Sequence, residues 1–373
     1  MAPSIGFEKV TTIAFLPMML YTAFNMFTQK LRYDKNAVYV ILLAAVIIVF
    51  KWSIDQDYFK IVANFMIIPM LISICFDNLT LKELNLVRRM TIIFFVVECG
   101  LSIVEWILNY NFFTYEEILT FVEGQLKYFG FFRSTSLLGH PLANAQVVAV
   151  IMTFIATYGF RKKYFQIILF FLGYVSLFCF NARGATLVVT VFTVPYFLWK
   201  INKTTQPSRK WMIKLGVFCM FFGMIYLVTQ TPMGGRLMNM KLMDDSAQTR
   251  LEIFQFYNYY QTNDDFLWGN PNNTDYMINK LGVGGIENGI IRSILAYGII
   301  LTIPMLLLLF NFQYRKLSVF SKLDKWLLLA VFYLIGTMNP NLVAPIQWTL
   351  WIFAYYTFRP EALPPKTMNT ISL

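Results

Sequence analysis

Charged residues and cysteines are scarce in this sequence of 373 residues. Asp, Glu, Lys and Arg make up 14% of the chain and hydrophobic residues 57%, whereas soluble domains carry about 25% charged residues. The four cysteines, Cys75, Cys99, Cys179 and Cys219, each lie inside an apolar run and form no C-x-x-C pair. This pattern excludes a soluble globular protein and a disulfide framework, and it predicts that the cysteines are small core or lipid-facing residues.

Histidine occurs once, at His140, and the sequence offers little for metal or nucleotide chemistry. A single histidine without a cysteine or carboxylate cluster beside it cannot form a zinc site. The glycine-rich stretch 282–289 has no Gly-Lys-Ser/Thr, and Glu287 stands where G-x-G-x-x-G would place its third glycine. A serine hydrolase is excluded because G-x-S-x-G is absent. We therefore expect neither a metal nor a nucleotide cofactor.

Apolar runs of the length of membrane-spanning helices recur along the whole chain. A helix needs about 20 apolar residues to cross a hydrocarbon core about 30 Å thick. The sequence predicts an all-α, polytopic integral membrane protein that forms one domain over residues 1–373, with about 11 transmembrane helices, or 10 to 12 because three runs are short. The runs are 10–28, 37–50, 61–76, 91–108, 142–160, 164–180, 185–199, 215–229, 289–312, 326–339 and 341–358.

Basic residues come in short clusters between these runs, which indicates membrane topology and not nucleic-acid binding, despite a net charge of +11. Six connections hold 20 of the 31 Lys and Arg residues and are therefore predicted to be cytoplasmic. They are 29–36, 77–90, 161–163, 200–214, 313–325 and 359–373. On the opposite side lie a smaller loop, 109–141, and a large extracytoplasmic loop, 230–288. The large loop is expected to contain an amphipathic helix after Ser246.

Arg183 lies in a turn of a few residues between two apolar runs, directly after Asn181 and Ala182. An arginine at such a position either anchors at the interface or binds an anion, and its planar fork suits a diphosphate. Arg250 opens the amphipathic stretch, and Arg292 lies one turn into the run after the large loop. For these two residues, a solvated or structurally paired arginine is the alternative.

Glu287 and Asn288 lie where the glycine-rich stretch enters the run that begins at Gly289. The glycines permit close approach of the backbone to a ligand. Glu287 is a candidate base or substrate contact, and the alternative is a carboxylate that caps the helix. His140 precedes Pro141 at the start of another run, where an interfacial residue is the alternative to a substrate contact.

Short motifs within residues 135–305 resemble, in their order and spacing, the O-antigen ligase and polymerase superfamily of bacterial membrane glycosyltransferases. Members of this superfamily use polyprenyl-diphosphate-linked sugars. The motifs are Gly139-His140-Pro141, Asn181-Ala182-Arg183-Gly184-Ala185, Arg250 at the start of a loop helix, Trp268-Gly269-Asn270, and Glu287-Asn288-Gly289 with Tyr297-Gly298 further on.

The resemblance implies an enzyme of the bacterial cytoplasmic (inner) membrane that extends O-antigen, capsule or exopolysaccharide on the outer face. Its donor is an undecaprenyl-diphosphate-linked oligosaccharide, and its acceptor is the terminal sugar of another lipid-linked repeat unit. The resemblance also implies that Arg183 and Arg250 hold the diphosphate, while Glu287 orients or deprotonates the attacking hydroxyl. Further candidate substrate contacts are His140, Asn181, Asn288 and Arg292.

Two other functions stay open, namely a ligase that transfers glycan to the lipid A core and a flippase or other transporter. Glu287 stands where such ligases typically have a histidine, which favours a polymerase. A transporter is expected to carry its charges near mid-helix, facing a cavity at the bilayer centre. Glu98 and Glu105 are the clearest acids embedded in an apolar run, whereas Arg183, Arg250 and Glu287 lie near one surface. We expect the bilayer, a flippase and a chain-length regulator as partners, and no nucleic acid.

The predicted sidedness can be measured with reporter fusions. A reporter that is active only in the cytoplasm should work when fused at Lys162, Lys203 or Lys322 and should fail at Asp264. Activity of the fusion at Asp264 would place the large loop inside the cell and contradict an enzyme of the outer face.

Overall fold

A computed structural model describes most of the predicted helical regions. Among the residues it describes, the chain is helical and contains no strand, which confirms the all-α class. The predicted runs 10–28 and 215–229 lie outside the described residues, apart from three isolated positions of the second run. The described residues are 34–51, 62–113, 132–160, 162–204, 211, 218, 222, 226, 263–270, 276–280, 286, 288–338, 342 and 345–360.

Each predicted run that falls within the described residues coincides with a helix or with a pair of continuous helices. The helices are α1 (Lys35–Lys51), α2 (Ile68–Asp77), α3 (Leu81–Leu108), α4 (Pro141–Thr157), α5 (Lys163–Cys179), α6 (Arg183–Val188), α7 (Val194–Thr204), α8 (Asn263–Trp268), α9 (Gly289–Lys316), α10 (Lys322–Thr337) and α11 (Pro345–Phe358). A π-helical turn, Ala63–Ile67, leads into α2, and a second, Val189–Thr193, joins α6 to α7.

Three helices of the described part are long and apolar enough to cross a membrane. They are Leu81–Leu108, Arg183–Lys203 and Gly289–Val319. Apolar helices of 10–17 residues include α1, α4 and α5. By length and composition the chain is therefore a helical membrane protein, with fewer long spans in the described part than the number predicted for the whole chain.

Helix α3 begins ten residues before the predicted run 91–108, because a capping box starts it in the polar connection. The hydroxyl of Thr80 accepts from the backbone N–H of Glu83 at 3.4 Å, and the backbone N–H of Thr80 donates to the Glu83 carboxylate at 2.7 Å. This reciprocal pair satisfies two backbone donors at the helix start. A hydropathy pattern detects only the apolar part of such a helix.

Aromatic side chains fill the space between α11 and its neighbours. Trp351 of α11 is buried, and its ring centroid lies 6.1 Å from that of Phe154 in α4, 6.2 Å from Phe312 in α9 and 6.4 Å from Phe332 in α10. A side chain that touches three helices places α11 inside the bundle, where apolar residues all round a helix are expected.

Ion pairs join the helix ends that are predicted to be cytoplasmic, which we call the inner end of the bundle. The Lys316 ammonium lies 2.6 Å from the Asp77 carboxylate, and the Lys200 ammonium lies 2.9 Å from the Asp324 carboxylate. All four residues belong to connections with the basic bias. Connections that are predicted to lie on the same side of the membrane therefore contact each other in the structure. That this side is the cytoplasmic one stays a prediction.

At the opposite, outer end, the backbone of α8 packs directly on a kink in α9. Gly269 and Gly298 have φ values of +75° and +72°, in the left-handed region that favours glycine. A Cβ on Gly298 would lie 2.5 Å from the backbone nitrogen of Gly269, and the N–H of Asn270 donates to the carbonyl of Leu295 at 2.9 Å. The motifs Trp268-Gly269-Asn270 and Tyr297-Gly298 thus contact each other.

This contact predicts that Gly298→Ala will destabilise the protein. The added methyl group meets backbone and occupies an unfavourable φ, so we expect a loss of about 2 kcal/mol or more in stability. Gly100→Ala in α3 is the matched control, because nothing lies within 4 Å of its Cβ and alanine favours a helix. Thermal unfolding in detergent measures both variants, and equal midpoints would contradict the proposed close packing.

Candidate functional site

A segment of buried polar residues, 132–139, lies directly before α4 at the outer end of the bundle. Arg133, Ser134, Thr135 and Ser136 are all buried, although the segment is not helical. Buried backbone and side-chain polar groups need partners, because an unsatisfied group costs about 1–3 kcal/mol. The partners of this segment come from α3 and the residues just after it, from α4, and from the turn between α5 and α6.

Glu105 of α3 binds the backbone of the connecting loop from both sides. One carboxylate oxygen accepts from the N–H of Phe112 at 2.9 Å, and the other accepts from the N–H groups of Thr135 and Ser136 at 2.9 and 2.8 Å. The side chain is fully buried. A carboxylate suits this position because both of its oxygens act only as acceptors.

Glu98 lies two turns earlier on the same face of α3 and contacts the same segment. Its carboxylate accepts from the N–H of Leu137 at 3.3 Å, and its backbone carbonyl accepts from the hydroxyl of Ser136 at 2.9 Å. Its second carboxylate oxygen has no hydrogen-bond partner among the described residues. Both acids embedded in α3 therefore bind loop backbone.

Arg133 connects the segment to the turn between α5 and α6. Its Nε donates to the carbonyl of Phe180 at 3.2 Å, and the N–H of Ser134 donates to the carbonyl of Cys179 at 3.0 Å. Sequence reasoning did not select Arg133. The sequence feature that could have indicated Arg133 is its position as the one arginine of the loop 109–141, directly before Ser134, Thr135 and Ser136.

The turn that Arg133 contacts carries Asn181 and Arg183. Asn181 has a φ of +52°, is buried, and its side-chain oxygen has no hydrogen-bond partner among the described residues. Asparagine tolerates the left-handed region better than most residues. Arg183 is the first residue of α6 and is half-buried. Its neighbour Gly184 faces Met338 at the end of α10.

His140 and Asn288 each cap the N-terminus of a helix. His140 Nδ1 accepts from the N–H groups of Leu142 and Ala143 at 3.1 and 3.4 Å, at the start of α4. A neutral imidazole that accepts at Nδ1 carries its proton on Nε2. Asn288 accepts from the N–H groups of Ile290 and Ile291, each at 3.0 Å, at the start of α9.

The starts of α4 and α9 meet at the end of α10. A Cβ on Gly289 would lie 3.2 Å from the carbonyl oxygen of Gly336, and a Cβ on Gly336 would lie 3.3 Å from the amide nitrogen of Gln146. Gln146 is fully buried, and neither polar atom of its side chain has a hydrogen-bond partner among the described residues. Gln146 was also missed, because it lies inside a strongly apolar run.

The structure thus brings His140, Asn181, Arg183 and Asn288 to one end of the bundle, around the end of α10. Arg292 lies one turn further along the chain than Asn288, in α9, and its side chain is exposed. The two remaining predicted residues, Arg250 and Glu287, lie outside the described residues. Within the described ranges, no group of three or more His, Cys, Asp or Glu residues is placed to hold a metal ion.

Comparison with known proteins gives no assignment of this site. No protein-family model matches the chain, and no curated protein is significantly similar to it. The resemblance described above therefore depends on short motifs, and the function that it implies is a proposal.

The contacts of Glu105 predict that Glu105→Gln will destabilise the protein. Glutamine has one acceptor oxygen, so its NH₂ group must face at least one of the three backbone N–H donors. We expect a loss of about 1–3 kcal/mol, visible as a lower unfolding temperature in detergent.

Glu83→Gln is the matched control for this substitution. Glu83 is exposed, and both of its hydrogen bonds from Thr80 go to the same oxygen, which glutamine retains. Glutamine also serves in capping boxes. The control should unfold at nearly the wild-type temperature. Equal loss in both variants would contradict the assigned role of Glu105.

Proposed function

We propose that the chain is a membrane glycosyltransferase that polymerises polyprenyl-diphosphate-linked oligosaccharide repeat units. It would act on the outer face of a bacterial cytoplasmic membrane and cross that membrane about eleven times. The observation that carries the proposal is Arg183, a half-buried arginine at the first residue of α6. It lies at the same end of the bundle as Arg133, His140 and Asn288.

In the proposed reaction, a hydroxyl oxygen of the acceptor sugar bonds to the anomeric carbon of the donor. The bond from that carbon to the diphosphate oxygen breaks, and the lipid diphosphate leaves with the electron pair. Glu287 takes the hydroxyl proton. Arg183 and Arg250 stabilise the negative charge on the leaving group. This electrostatic stabilisation is largest where water is excluded from the site.

The unsatisfied buried amides support a polar ligand at this end of the bundle. The side-chain oxygens of Asn144 and Asn181, and both polar atoms of Gln146, have no hydrogen-bond partner among the described residues. An amide offers a donor and an acceptor, as a sugar hydroxyl also does. These side chains, together with Asn288 and Arg292, are the candidates for holding the oligosaccharide.

The contacts of Glu98 and Glu105 favour an enzyme over a transporter. Both acids lie within α3, where a transporter would use them to bind an ion or substrate. Instead, both accept hydrogen bonds from the backbone of segment 132–139. Their burial is thus explained by the architecture of the outer end.

Glycan profiling of a deletion strain separates a polymerase from a ligase. Loss of long chains, with single repeat units still attached to their final acceptor, supports the polymerase. Loss of all attached glycan supports a ligase that acts on the lipid A core.

The proposal predicts that Arg183→Lys will impair chain elongation. Lysine keeps the charge and the long stem, so an interfacial anchor would tolerate it. A diphosphate-binding arginine would not, because lysine replaces a two-pronged donor by a point charge. We expect a loss of roughly 2 to 4 kcal/mol in transition-state stabilisation, or about 30- to 1000-fold in rate.

Elongation is measured at matched protein levels in the membrane, so that misfolding is excluded. Arg315→Lys is the control, since Arg315 is an exposed arginine at the inner end of α9 and should retain full activity. Glu287→Gln should abolish turnover while leaving binding of the lipid-linked donor largely intact. Near-normal polymer from both Arg183→Lys and Glu287→Gln would overturn the assignment of the site.

A further inference from the structure

Buried and partly buried cations at the inner end fall into two kinds. Lys316 and Lys200 each have a carboxylate within 2.9 Å, contributed by Asp77 and Asp324 respectively. Such pairing is the usual requirement for a charge removed from water. Arg88 and Arg359, both partly buried, have no carboxylate partner among the described residues.

Both unpaired arginines lie against tyrosine rings. The guanidinium carbon of Arg88 lies 4.5 Å from the ring centroid of Tyr158, and that of Arg359 lies 5.1 Å from the ring centroid of Tyr356. One guanidinium nitrogen of each is buried without a hydrogen-bond partner among the described residues. The cation–π contacts orient the guanidinium groups but do not neutralise their charge.

The two arginines belong to helix ends that pack together. Arg88 lies on the face of α3 that also carries the buried residues Leu84 and Phe95, so it points into the bundle. The ring of Tyr158, which it contacts, lies 5.5 Å from the ring of Phe358, the residue before Arg359. The two arginines therefore belong to neighbouring helix ends, one at the start of α3 and one directly after α11.

An apolar surface continues from this pair of arginines. Tyr158 packs on Phe160 with ring centroids 4.8 Å apart, and Phe160 packs on Phe165 with centroids 5.8 Å apart. Phe165 and its neighbour Tyr164 in α5 are exposed on the surface of the bundle. A ligand with a phosphate and acyl chains fits both features, whereas a free anion would use only the first.

We propose that Arg88 and Arg359 bind the phosphate of an anionic phospholipid of the cytoplasmic leaflet, whose acyl chains lie along the aromatic surface at Phe160 and Phe165. Basic sites between helices on the cytoplasmic side bind lipid headgroups in this way. Arginine is the suitable residue because its fork matches two phosphate oxygens. The proposal depends on the membrane placement of the chain and not on its enzymatic activity.

The experiment measures the thermal unfolding of the purified full-length protein in detergent, titrated with phosphatidylglycerol. Phosphatidylethanolamine and inorganic phosphate form the parallel arms. Phosphatidylglycerol should raise the unfolding temperature saturably, and the other two should not. Arg88→Gln and Arg359→Gln should each raise roughly fivefold the lipid concentration that gives half of the maximal shift in unfolding temperature. A basic residue near anionic lipid contributes about 1 kcal/mol to binding, which corresponds to this factor.

Arg89→Gln is the matched control, because Arg89 is the exposed neighbour of Arg88 and should retain the wild-type response. If Arg88→Gln does not fold, Arg88→Lys replaces it, keeping the charge and losing the fork. An equal response in all variants would show non-specific binding and overturn the proposal. An equal shift with inorganic phosphate would overturn the assignment of a lipid.

Discussion

The hydrogen bonds from loop backbone to the two carboxylates of α3 are the interaction on which the outer end of this protein depends. Non-helical backbone inside a membrane bundle is tolerated only where its N–H and C=O groups find partners within the protein. Glu105 satisfies three N–H groups at once, and Glu98 satisfies a fourth. Without these acceptors, the backbone of segment 132–139 would need water as its partner and could not stay inside the bundle. The start of α4 would then no longer be held in place.

The site follows from the position of this segment. Because Glu105 and Glu98 fix it against α3, Arg133 reaches the carbonyl of Phe180, and the turn that carries Asn181 and Arg183 is held from a second side. The imidazole of His140 then caps α4 at the end of the same segment. Two buried carboxylates thus position the residues proposed to bind the substrate.

Much of this arrangement could be predicted from the sequence. The apolar runs located the helices, since burial and lipid both demand apolar side chains, and His140 and Asn288 were placed correctly at helix starts. The role of Glu98 and Glu105 was not predicted, although Glu98, Ser102 and Glu105 stand at i, i+4 and i+7 within an apolar run. Their partners are backbone groups some thirty residues away in the chain, and a backbone donor has no signature in the sequence. Gln146 was missed for a related reason, because its surroundings are three helix ends that only tertiary packing brings together.

The π-helical turn Val189–Thr193 sets the rotation of Arg183 about its helix axis. Before the turn, Gly184 faces Met338, the residue after α10, and at its last residue the hydroxyls of Thr193 and Thr153 lie 3.2 Å apart, which fixes the helix against α4. A π turn accommodates one more residue than an α turn. Regular α-helix over the same number of residues would swing Arg183 by about 100° relative to Thr193, whereas deleting one residue of the turn would restore α-helix and leave that direction nearly unchanged. The direction of Arg183 therefore depends on the extra residue being absorbed as a π turn, and related chains should show either such a turn or a gap of one residue at this place.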